Sequence, residues 1–194
     1  MNHRIKIIQT GYSRLLDFKH LKADGTITLV TGPISLIVDT GLPQDKDLII
    51  KSLYAENLTP EEIKWVICTH GHSDHIGNNN LFPQADFIVG FDYGSNDLYT
   101  LHDFASGAPL ELGEGLTVIP TPGHSGQDVS VLVKSDNLLW AITGDLFESE
   151  QDLTEENLWK NQSMFPELQK QSRAHILQLA DRIIPGHGAA FRVK

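Results

Sequence analysis

Trp65-Val66-Ile67-Cys68-Thr69, followed at once by His70-Gly71-His72-Ser73-Asp74-His75, decides how the remainder of the 194-residue chain is read. The apolar run predicts a short buried strand, and the polar run predicts that it stops abruptly at His70. Three imidazoles and a carboxylate within six positions have little structural use without a cation, because buried polar groups without partners cost several kcal/mol. His70 and His72, two residues apart, can aim at one ion. Asp74 and His75 are adjacent, so a turn can send them to a second. Imidazole nitrogen and carboxylate oxygen without thiolate suit zinc first, with iron or manganese as competitors.

Three more motifs follow short apolar runs: Pro122-Gly123-His124, Gly144-Asp145 and Pro185-Gly186-His187-Gly188. Each alone reads as an ordinary turn. Together they supply the number of ligands that two ions still need. Gly71, Gly123, Gly144 and Gly186 read as positions where the backbone turns closely around the ions. Two divalent ions roughly 3.5 to 4 Å apart lower the pKa of a shared water toward about 7, giving a bridging hydroxide as nucleophile and hydrolysis as the reaction type.

Outward from this cluster the pattern alternates. Residues 26 to 30 and 34 to 38 predict two strands around Thr31-Gly32-Pro33, closed by Asp39-Thr40-Gly41. Residues 44 to 57 predict an amphipathic helix with Ile49, Ile50, Leu53 and Tyr54 on its apolar face. Thr59-Pro60-Glu61-Glu62 resembles a helix start. Strands are expected at 86 to 89, 116 to 119, 129 to 133, 138 to 143 and 182 to 184, and a helix at 166 to 180 with Leu168, Ile176 and Leu179 inward. Two β-rich halves, each followed by helix, predict layered sheets covered by helices, an α+β class, over a single domain spanning 1–194. Residues 90 to 109, with Phe91, Tyr93, Tyr99 and Phe104, read as a loop over the site that would either stack a base or simply close the core. His3, His20, His102 and His175 read as surface or satisfied polar residues, and Glu148, just after the Gly144-Asp145 motif, as a surface residue with substrate contact as the alternative.

Fifteen basic against 25 acidic side chains give a net charge of −10, which argues against a generic basic nucleic-acid surface. The distribution is uneven. Residues 70 to 169 carry a balance of −14, whereas residues 1 to 22 and 170 to 194 each carry +4. Phosphate contacts from RNA would therefore come from the ends, through residues such as Arg4, Lys6 and Arg173. The single cysteine, Cys68, cannot form an internal disulfide. No run approaches about 18 apolar residues, so the expectation is a cytoplasmic protein without a membrane partner.

The order His70-x-His72-x-Asp74-His75, then His124, Asp145 and His187, with Asp39 upstream, resembles the signature of the metallo-β-lactamase superfamily. That resemblance implies a four-layer αββα sandwich with two divalent metal ions at one edge. It implies one ion on His70, His72 and His124 and the other on Asp74, His75 and His187. Asp145 would bridge them. Asp39, which reads equally well as a turn residue, would orient the first ligand loop by hydrogen bonds. Asp74 and Asp145 would serve catalysis.

The complete ligand set and the few residues after His187 set the chain apart from antibiotic-hydrolysing and glyoxalase-type relatives. Gly77-Asn78, Leu81-Phe82-Pro83, Gly126-Gln127-Asp128, Gly144-Asp145-Leu146-Phe147-Glu148 and Phe191-Arg192-Val193 resemble a compact animal branch. That branch implies an endoribonuclease acting on histone pre-messenger RNA, a homodimer, and a cytosolic and nuclear location. The alternatives are a small-molecule hydrolase of thioesters or lactones, and a metal-loaded binding protein without catalysis.

Overall fold

The computed structural model describes residues 3–194. Val66 and Cys68 point to one side of the predicted strand and Trp65 and Ile67 to the other, as strand alternation requires, and all four are buried. A strand buried on both faces must lie in the middle of layers. Trp65–Cys68 pairs in parallel with Leu36–Val38 on one side and Asp86–Val89 on the other. These three sit inside a seven-stranded sheet completed by Arg4–Gln9, Ile27–Thr31, Asp92–Ser95 and Leu98–Tyr99. The second half folds into a six-stranded sheet of Leu110–Gly113, Leu116–Pro120, Val129–Ser135, Leu138–Gly144, Arg182–Pro185 and Phe191–Arg192.

Three apolar clusters define the layers. Val30, Val38 and Ile67 from the first sheet meet Val118, Val131 and Ile142 from the second, so the sheets pack face to face. The opposite face of the first sheet, with Leu29, Ile37 and Val66, is covered by Ile49 and Leu53 of the helix Lys46–Tyr54. The opposite face of the second, with Ala141 and Ile183, is covered by Ile176 of the helix Pro166–Leu179. Helix, sheet, sheet and helix make the expected αββα sandwich.

Several local expectations change. Tyr54 is exposed and Ile50 half-buried, so the first helix contacts the sheet through a narrower stripe of Ile49 and Leu53. Thr59–Glu62 closes into a single 3-10 turn, capped reciprocally by Thr59 and Glu62, rather than a helix. In Pro166–Leu179 the inward residues are Gln169, Arg173 and Ile176, while Leu168 and Leu179 are exposed. Residues 92 to 99 form a hairpin on the edge of the first sheet, and Phe104 is buried between the sheets, so this region is not a loop over the site. His3 and His102 are satisfied polar residues, one of the two states expected of them: buried His3 meets the Glu114 carbonyl through Nε2, and His102 meets that of Ala108. An unpredicted hairpin, Tyr12–Leu15 with Leu21–Asp24, stands apart as its own two-stranded sheet. Among the described residues no helix is long and apolar enough to cross a membrane.

Strand direction positions the site. Leu36–Val38 and Trp65–Cys68 are parallel, so Asp39 and Thr69-His70 leave the first sheet at the same rim. Leu116–Pro120 and Leu138–Gly144 both run antiparallel to Val129–Ser135, and Arg182–Pro185 runs parallel to Leu138–Gly144. Their carboxyl ends therefore carry His124, Asp145 and His187 to one rim of the second sheet. The rims are tied by Val129 N–H donating to the Thr69 carbonyl at 2.9 Å and by Thr26 N–H and Oγ1 donating to that of Gly186 at 2.8 and 2.9 Å.

Candidate metal centre

All seven predicted ligand residues converge on that rim in two groups: His70, His72, His124 and Asp145, and Asp74, His75 and His187. In the first, His72 Nδ1 lies 2.8 Å from His70 Nε2 and 3.1 Å from His124 Nε2. Asp145 Oδ2 lies 3.6 Å from His70 Nε2 and 3.4 Å from His124 Nε2. In the second, Asp74 Oδ2 lies 4.0 Å from His75 Nε2 and 3.7 Å from His187 Nε2. Asp145 Oδ1 faces those same nitrogens at 3.2 and 3.3 Å. Ligand bonds of 2.0 to 2.2 Å in a tetrahedron place ligand atoms about 3.3 to 3.6 Å apart, so both groups have close to the span an ion requires. Asp145 Oδ2 also lies 3.3 Å from His187 Nε2, so the carboxylate sits between the two groups, where a shared ligand would lie.

The polar bookkeeping at the rim agrees. His75 Nε2 and Asp145 Oδ1 are buried without hydrogen-bond partners among the described residues, a costly state that a cation relieves. Three Nδ1 atoms are occupied. His75 Nδ1 lies 2.9 Å from Asp39 Oδ2, His70 Nδ1 lies 3.2 Å from Thr69 Oγ1, and His187 Nδ1 lies 3.1 Å from the Asp24 carbonyl. Such bonds fix the tautomer and aim the opposite nitrogen.

Asp39 does more than terminate a strand. Its Oδ1 also accepts from Thr69 N–H at 2.7 Å, its Oδ2 accepts from Thr69 Oγ1 at 3.0 Å, and its backbone takes a left-handed φ of 58°. Gly144 has a φ of +51°, and any Cβ there would collide with Thr69 Oγ1. A Cβ on Gly186 would collide with Asp145 Oδ1, whereas one on Gly71 would meet open space. Glycine is therefore required at the first two positions and not at Gly71.

Electrostatics follow burial and charge. Burial, with the neighbouring charge of His75, pushes His70 well below the usual imidazole range. Burial acts to raise Asp145, but His75, His187 and His70 outweigh it and hold the carboxyl well below the carboxylate range. Burial opposes charge on His187 as well, but Asp145 raises it to about 9. At His187 a proton therefore competes with a metal for the ring nitrogen.

Two expectations change here. His72 is exposed rather than buried, so the first group opens to solvent on its side. Glu148 is 6% exposed rather than on the surface. Its Oε1 lies 4.0 Å from His124 Nδ1 and its Oε2 4.0 Å from His187 Nε2. Burial and the Asp145 charge push its carboxyl up to about 9. Sequence reasoning also missed Gln169, whose Nε2 donates to the Asp145 and Leu146 carbonyls at 3.1 and 3.2 Å, and Asp128, which gathers Gly123 N–H and Ser125 N–H into the turn carrying His124. The Ser125-x-x-Asp128 spacing was the available signal for the latter.

Residues 24–187 match the metallo-beta-lactamase superfamily. The chain is 45% identical over 194 residues to metallo-beta-lactamase domain-containing protein 1 of Xenopus laevis, covering 98% of this chain and 82% of that one. It is 43% identical over 165 residues to the Homo sapiens protein of the same name, covering 84% of this chain but 60% of the human one, so it spans less than two thirds of that relative. A solved N-acyl homoserine lactone hydrolase, with N-hexanoyl-L-homoserine at its catalytic metal centre, superposes with a TM-score of 0.69 over 97% of this chain and 94% of the other. At 17% identity that likeness is one of fold. With family match, relatives and rim in agreement, the chain belongs to the metallo-beta-lactamase superfamily.

Proposed function

We propose that the protein is a dinuclear metal-dependent hydrolase whose substrate is RNA and whose resident metal is zinc. The observation that carries the hydrolase reading is Asp145, whose carboxylate lies between the two ligand groups within 3.2 to 3.6 Å of nitrogens in both. Two ions held there would polarise a phosphoryl or carbonyl oxygen and make a water nucleophilic near neutral pH. The chain's own residues supply the rest. Asp39 and Thr69 hold His75 and His70 in register. His72 leaves the approach open on its exposed side. Asp74, the less buried carboxylate of the two, would carry the proton for the leaving atom on the oxygen that does not face His75 and His187.

The structure changes which cations could serve RNA. Arg173 is buried against Asp152, and Arg4 and Lys6 both pair with Glu56. Exposed cations remain on the hairpin rooted beside His187: Arg14, Lys19 and Lys22, with Phe18 88% exposed at its tip. Cations interleaved with an exposed ring are what single-stranded nucleic acid requires. In a single-stranded RNA cleavage assay, charge reversal of Arg14 and Lys22 together should slow cutting and flatten its salt dependence, while Arg4→Glu leaves both unchanged. Equal effects from both, or none from either, contradict the RNA reading.

One observation favours a second reading. Ser13 lines the recess beside His187 and Glu148, and strand alternation puts Leu15 and Leu21 on that same hairpin face. Exposed Met164 and Phe165 flank the His124 turn. Apolar walls suit an acyl ester, so a lactone and thioester panel belongs beside the RNA assay. Turnover of such esters that vanishes in His72→Ala, with intact RNA, selects the second reading.

A further inference from the structure

Three of the four buried histidines at the rim have their Nδ1 bonded: His70 to Thr69, His75 to Asp39 and His187 to the Asp24 carbonyl. The fourth does not. His124 Nδ1 is buried without a partner among the described residues, and so are both carboxylate oxygens of Glu148. These orphans are neighbours, 4.0 Å apart. The Glu148 backbone is held beside His124, because its N–H donates to Asp152 Oδ2 at 2.7 Å and its carbonyl accepts from His187 N–H at 2.9 Å. Asp152 in turn is held by Arg173, whose Nη1 lies 3.2 Å from Oδ2. Nor is His187 the natural partner of Glu148. Its Nε2 faces Asp145 and Asp74 with the metal-binding group, and its Nδ1 is already bonded.

We infer that Glu148 is a positioning residue for the metal centre, accepting a hydrogen bond from His124 Nδ1 so that Nε2 is aimed at the ion shared with His70 and His72. A change of about 1 Å closes the pair to hydrogen-bond distance, and it satisfies a buried donor and a buried acceptor at once. Either oxygen of Glu148 can accept. Glu148 would then do for the first group what Asp39 does for the second: each group would have one histidine held by a carboxylate from outside the ligand set.

The inference rests on the metal reading above, and zinc titration separates the two. Wild-type protein that binds no zinc overturns the metal reading. Protein that binds two zinc ions, with Glu148→Gln unchanged in both affinities, overturns the positioning role alone. The expected result is a 10- to 100-fold loss at one site in Glu148→Gln, and no further effect of that change in a His72→Ala background, where the first group is already broken. Loss confined to the His187 group would instead make Glu148 a ligand there and overturn the inference. A second readout needs no variant. In zinc-loaded wild type with labelled imidazoles, the His124 Nδ1 proton should resonate far downfield with a through-space contact to the Glu148 side chain. A solvent-exchanging proton without that contact contradicts the pair.

Discussion

Asp39 carries the geometry of the rim at the cost of its own backbone. A left-handed φ of 58° on a non-glycine residue persists where its surroundings determine it, and here three hydrogen bonds, to Thr69 N–H, Thr69 Oγ1 and His75 Nδ1, do so. Asp39→Asn keeps the shape but replaces one acceptor oxygen with a donor. The expected outcome is a 10- to 100-fold weaker zinc site at His75, read by competition with a chelator, with the fold retained.

A second residue gives a pH signature. Burial, then the Asp45 carboxylate, raises Asp24 to about 6 from an ordinary 3.8. The folded state therefore holds the proton more tightly than the unfolded one, and stability falls as pH rises between those values. Asp24→Asn should raise the melting temperature of metal-free protein at pH 7 and match wild type near pH 4. An advantage at acid pH instead would reverse the sign. Single residues were the least legible scale in the sequence. The histidine ligands announced themselves by spacing, but Glu148 and Gln169 act through burial and backbone contact, which leave no spacing signal.

Among the elements, the helix Pro166–Leu179 shows why some were legible and others not. Its existence was readable from Pro166 and the apolar period, but not its inward face. Gln169 and Arg173 are buried because the chain offers them partners: the Asp145 and Leu146 carbonyls, and Asp152. The Arg173 guanidinium also lies 4.0 Å from the Phe147 ring centre and 4.7 Å from that of Trp159. Arg173→Ala would strand Asp152 as an uncompensated buried charge, and urea unfolding should show a loss of about 3 to 5 kcal/mol. A loss below about 1 kcal/mol would show the pair to be solvated.

The central strands were readable because burial on both faces demands continuous β-branched runs. The hairpin Tyr12–Leu15 with Leu21–Asp24 was not, since it buries little, Tyr12-Ser13-Arg14-Leu15 shows no apolar alternation and Leu21–Asp24 is only four residues long. The edge hairpin at 92 to 99 was missed for the same reason.

For the whole molecule, net charge was a poor guide. The −14 balance of residues 70 to 169 includes Asp74 and Asp145, which face the ligand histidines, and buried Asp128, Glu148 and Asp152. That acidity is in part an invitation to cations rather than a repulsion of RNA. The layered fold explains why ligands scattered from residue 70 to residue 187 meet: strand direction in both sheets brings their carboxyl ends to one rim.

Chelation should lower the melting temperature, since ions bound only by the folded rim stabilise it by mass action. The most direct test of two ions sharing Asp145 is metal content after zinc loading and desalting, in wild type and Asp145→Ala. The expected result is two zinc ions per wild-type chain and at most one in the variant. One ion in wild type, or two in both proteins, would contradict the shared centre.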